Sequence, residues 1–98
     1  MLAKVQLTCR NGKIRAKGSI RLREPGQAMM HLYLQHWTEA GWQTIAAKSA
    51  ANGPLLLHPA RAGQRYRVVT ETWLYSMRGD VLEIIGGESE EVACEEKQ

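Results

Sequence analysis

The chain has 98 residues and a net charge of +3 at neutral pH, with 44% apolar and 23% charged side chains. So short a chain supports one core and excludes a two-domain enzyme. The apolar content excludes a general failure to fold, and no apolar run nears the roughly 18 residues that cross a bilayer as a helix. Met1-Leu2-Ala3-Lys4 starts no basic, apolar, small-residue leader, so no export signal is expected within these residues.

Charge is unevenly distributed. Residues 1–23 hold seven cations and no acid, residues 24–80 come to +1, and residues 81–98 set six glutamates against Lys97 for −5. This division suits either a polyanion-binding arm or two chain ends that lie together and neutralise each other.

In chain order, Asn11-Gly12 is a hairpin signal, because both central positions of a type I′ turn need positive φ. It joins a strand over 4–10 to one over 13–23. In the second strand Ile14, Ala16, Gly18, Ile20 and Leu22 fall on one face, and Lys13, Arg15, Lys17, Arg21 and Arg23 on the other. Gly18 is expected to mark a bend or bulge. Glu24-Pro25-Gly26-Gln27 is a turn, after which 28–38 alternates Met30, Leu32 and Leu34 against Met29, His31, Tyr33, Gln35 and Trp37.

Glu39-Ala40-Gly41 closes a hairpin to a strand over 42–48, whose Trp42 and Ile45 are three apart and so require a bulge or an edge position. Residues 49–54 read as loop, Leu55-Leu56-Leu57 as a short buried strand and 58–63 as a corner. A long strand over 64–77 places Tyr66, Val68, Thr70, Thr72 and Leu74 opposite Arg65, Arg67, Val69, Glu71, Trp73 and Tyr75. Arg78-Gly79-Asp80 turns the chain into a strand over 81–85, Gly86-Gly87 bends it, 88–92 continues the pairing, and 93–98 is expected to fray as an acidic tail. The pattern describes one all-β domain over 1–98, an antiparallel two-sheet β-sandwich of seven or eight strands, with a small barrel as its rival.

The run Leu57-His58-Pro59-Ala60-Arg61-Ala62-Gly63-Gln64-Arg65-Tyr66-Arg67-Val68 resembles the corner between strands E and F of fibronectin type III and other immunoglobulin-like domains. That resemblance makes Tyr66 the corner tyrosine, its hydroxyl returning to backbone a few residues upstream. Leu34-Gln35-His36-Trp37 and Gly41-Trp42-Gln43-Thr44-Ile45 are similar to strands B and C of small sandwich domains on bacterial and phage surface proteins, with Trp42 as a second structural aromatic. Val68 stands where an antibody-type domain would carry its second cysteine, so that inter-sheet disulfide is absent. Cys9 and Cys94 either form a long-range disulfide or stay separate thiols.

His31 and His36 fall on opposite strand faces, His58 sits at a corner, and no metal-ligand spacing occurs, so neither a metal nor a cofactor is expected. No nucleophile, base and orienting group can be assembled, and solvated glutamates have no cause to acquire catalytic pKa values, so the chain reads as a non-enzyme.

Three features could bind. Arg78-Gly79-Asp80 is similar in sequence and loop to the integrin-binding tripeptide of the adhesive fibronectin type III module, and is also spelled by any charged hairpin around a glycine. The stripe of Lys13, Arg15, Lys17, Arg21 and Arg23 suits a polyanion such as a glycan or nucleic acid, but is expected to be offset by Glu83, Glu88, Glu90 and Glu91 on an adjoining last strand. Tyr33 and Trp37 on one strand and Trp73 and Tyr75 on another would form two aromatic clusters if, as the resemblance implies, those strands lie in different sheets. The expected function is a non-catalytic binding, spacer or assembly module on a secreted or surface-displayed protein. A protein or glycan partner is preferred over nucleic acid, and a cytosolic or phage-particle setting is the alternative.

Overall fold

The computed structural model describes residues 1–94. Eight strands follow in order: β1 (Leu2–Arg10), β2 (Lys13–Arg21), β3 (Gln27–Thr38), β4 (Gly41–Ala50), β5 (Leu55–Pro59), β6 (Arg65–Tyr75), β7 (Val81–Glu88) and β8 (Val92–Ala93). They form two antiparallel sheets, β1–β2–β5 and β4–β3–β6–β7, with the short β8 also paired to β6. The result is an all-β sandwich, with no helix among the described residues and a strand order compatible with an immunoglobulin-like fold. The body is elongated, 52 × 26 × 17 Å.

The core follows from alternation. Ile14 and Ala16 of β2, Leu32 and Leu34 of β3, Leu56 of β5, and Tyr66 and Val68 of β6 are buried in one cluster. Asn11 and Gly12 both have positive φ, at 53° and 74°, as a type I′ hairpin requires. The spacing of Trp42 and Ile45 is explained both ways: β4 is an edge strand, and its register with β3 slips at Leu34/Gln35, leaving Ile45 as the extra residue.

Gly18 departs from expectation. β1 and β2 pair without interruption from Leu2↔Arg21 to Arg10↔Lys13, so the strand is not bulged there. The glycine is required instead by close approach, since a Cβ would run into the Met30 sulfur and come within 3.0 Å of Pro54 Cδ. The loop expected over 49–54 is shorter, because β4 extends to Ala50. Gly86-Gly87 does not break β7, whose one irregularity lies at its start, where Leu74↔Glu83 is followed by Tyr75↔Val81. The strands that sequence likens to B and C are the third and fourth, β3 and β4.

Two devices close the sandwich. The Arg61 N–H donates to the Tyr66 hydroxyl at 3.0 Å, tying the start of β6 to the corner that follows β5. Cys9 and Cys94 are joined by a disulfide that links β1 to the residue after β8, across the two sheets. With a sequence separation of 85, the bond contributes about 4–5 kcal/mol in the chain-entropy account. The fraying expected from residue 93 is corrected accordingly. Ala93 is in β8, and Cys94 is buried with backbone bonds to Gly63 and Gln64, while residues 95–98 lie outside the described residues.

Two hydroxyls in the β6 interior should behave oppositely. Tyr66→Phe leaves the Arg61 N–H without its partner and should lower unfolding free energy by about 1–2 kcal/mol. The Thr72 hydroxyl is buried with no hydrogen-bond partner, so Thr72→Val should raise it by about 1 kcal/mol, both read from urea titrations.

Candidate functional site

Alternation that buries Ile14 and Ala16 leaves Lys13, Arg15, Lys17 and Arg21 exposed on the outer face of β1–β2–β5. Register with β1 adds Lys4 and Arg10 to that face, Arg10 directly opposite Lys13 and Lys4 opposite Ser19. Arg23 is not among them, because β2 ends at Arg21 and Arg23 lies in the following bend. Six cations thus share one face, spaced about 7 Å apart where they alternate along β2.

Among the described residues, no acid of the last strands pairs with the basic stripe. β7 and β8 belong to the other sheet, where Glu88 pairs with Arg67 at 3.5 Å and Glu91 with Arg65. Glu83 stands opposite Leu74. No acidic residue of β1, β2 or β5 exists, so among the described residues the outer face of this sheet is acid-free. Like charges side by side disfavour one another, and solvent separates them only in part. Counter-anions would relieve that repulsion.

The aromatic residues lie otherwise than expected. β3 and β6 are neighbours in one sheet, so Tyr33, Trp37, Trp73 and Tyr75 share its outer face. Antiparallel register still separates them, because Met29 is opposite Trp73 and Gln35 opposite Arg67. At one end Trp37 and Trp42 meet edge to face at 5.2 Å. Arg67 lies 4.5 Å from the Trp42 ring, and Arg65 lies 5.4 Å from the Trp37 ring. Trp42 therefore caps an outer cluster rather than filling the core. At the other end Trp73 and Tyr75 stack at 6.3 Å, and the Trp73 indole N–H donates to Glu71. Arginines thus engage Trp37 and Trp42, and a carboxylate engages Trp73.

Arg78-Gly79-Asp80 is exposed at the tip of the β6–β7 hairpin. Ser76 holds that turn: its N–H donates to the Asp80 carbonyl at 2.8 Å, and its hydroxyl accepts from the Arg78 and Asp80 N–H groups. Gly79 has φ 91°, a value other residues adopt only with strain.

The histidines do not gather as a set. His31 faces outward and bonds Ser49, while His36 faces inward, stacks on Tyr66 and donates to Gln64. A side cleft of about 450 Å³ brings His36 and His58 together with Arg61 and Tyr66, which sequence spacing did not anticipate. Its lining holds no carboxylate, and no group of three or more metal-ligating side chains occurs among the described residues. Lys4 and Arg10 were also missed as partners of the stripe, although both occupy even positions of a strand ending in Asn11-Gly12. No family model matches the chain, and neither a curated protein nor a solved structure is significantly similar to it.

The strand edges are guarded in different ways. β4 carries a bulge and turns Lys48 toward the core side, β5 is short and ends in Pro59, and β1 packs over β7 and β8. Each is a known protection against edge pairing. β7 is exposed on both faces and presents Leu82 at 61% and Ile84 at 51% exposure, with a register irregularity at its start and Glu83 opposite the inward-facing Leu74.

Proposed function

We propose that this chain is a non-catalytic binding module of the fibronectin type III-like kind, exported or surface-displayed, that holds a polyanion on the outer face of β1–β2–β5. The observation that carries the reading is the acid-free surface of Lys4, Arg10, Lys13, Arg15, Lys17 and Arg21. Chain ends of opposite charge would have offered an internal neutralisation, but among the described residues Glu91 and Glu88 pair with Arg65 and Arg67 and Glu83 lies on β7. An immobile sheet holds the cations at fixed spacing, so an anionic chain gains several contacts for one loss of freedom.

Three further features support the family and the setting. The hydroxyl-to-backbone bond of Tyr66 matches the corner of such domains, the strands divide three and four-plus-one between the sheets, and a long-range disulfide suits an oxidising compartment.

A heparin column developed with salt tests the reading. The parent domain should be retained well into the gradient, and Arg15→Glu with Lys17→Glu should elute near the void. Passage of the folded parent at low salt would refute it.

A second reading, assembly, is favoured by the exposed Leu82 and Ile84 of the β7 edge. Ile84→Lys should abolish any concentration-dependent association seen by sedimentation velocity and leave the fold unchanged, because the side chain is already half exposed.

A further inference from the structure

We infer that the polyanion met by the basic face is an anionic lipid surface, against which the sheet lies flat. The inference rests on the reading of that face as anion-binding and adds the nature of the partner. It comes from the register of the aliphatic side chains among the cations. Leu57, 61% exposed on β5, stands directly opposite Arg15, and Leu55 stands opposite Lys17. Pro59 is opposite Lys13 on the same side of β2. On the other side Leu2, 50% exposed on β1, stands directly opposite Arg21.

Each of these four cations of β2 therefore has an aliphatic group as a cross-strand neighbour on the solvent face. A linear glycan or nucleic acid would use the cations and leave the leucines in water. It would also find no aromatic ring on this face for a sugar or base to stack upon. A bilayer surface uses both. Lipid phosphates receive the ammonium and guanidinium heads, while the leucines and the alkyl stems of Lys and Arg settle among the glycerol and upper acyl groups. Geometry agrees, since the cations spread over two strands rather than one line. Nothing in this arrangement inserts a strand, so attachment is peripheral and reversible.

Sedimentation with phosphatidylcholine vesicles, with and without phosphatidylglycerol, provides the test, run beside the heparin column. The parent should bind only the anionic vesicles, less so as salt rises. Leu2→Ser with Leu57→Ser should lower vesicle partitioning about tenfold while leaving heparin elution unchanged, because both side chains are exposed and uncharged. Arg15→Glu with Lys17→Glu should lower vesicle binding at least about a hundredfold and also abolish heparin retention. Heparin retention without vesicle binding would overturn the lipid inference and leave the polyanion reading standing. Vesicle binding indifferent to the two serines would overturn it as well, reducing the contact to charge alone. Failure on both supports would remove both readings, with near-UV circular dichroism confirming that each variant is folded.

Discussion

A β-strand cannot bury one set of alternate side chains without exposing the other, and in β2 this constraint produces the core and the basic surface together. Ile14 and Ala16 enter the fully buried cluster, which leaves Lys13, Arg15 and Lys17 no direction but outward. Ion burial would cost far more than cross-strand repulsion among solvated cations, so the repulsion is tolerated. The density of positive charge on this sheet is thus a by-product of the same packing that stabilises the sandwich. The outer face of this sheet is free of acids because β1, β2 and β5 contain none.

Closure of the sandwich relies on contacts remote in sequence. The corner tyrosine fixes how the chain passes from the three-stranded sheet to β6, and the Cys9–Cys94 bond fastens the first strand to the last. The uninterrupted pairing of β1 with β2 keeps Lys4 and Arg10 in the same surface as the cations of β2. The acidic segment is drawn to the opposite sheet, where Glu88 and Glu91 lie beside arginines already stacked on tryptophans. Exposed pairs of this kind are worth little individually, yet they place negative charge away from the basic face. The molecule is polarised as a result, with cations over one sheet and acids toward β7.

Much of the architecture could be read before any coordinates. Period-two patterning located β2, β3 and β6 with their inward faces, Asn11-Gly12 located the first hairpin, and the three-residue spacing of Trp42 and Ile45 required the edge or bulge that β4 shows in both forms. Tyr66 was recognisable from its neighbours because a corner hydroxyl is a local arrangement, satisfied by a backbone group five residues away. Gly18 was misread for the converse reason: its role is set by Met30 and Pro54, which lie in other parts of the chain.

Alone, the sequence determined what alternation and local turn chemistry can determine: strands, their two faces, the hairpins and the sandwich. Tertiary structure decided which faces became neighbours. Pairing of β6 with both β3 and β7 brought the aromatic strands into one sheet and carried the glutamates away from the cations. It also joined the cysteines and set leucines opposite arginines and a lysine. Such relations depend on register and sheet order, which come from the summed packing of the whole core and leave no mark on a single strand.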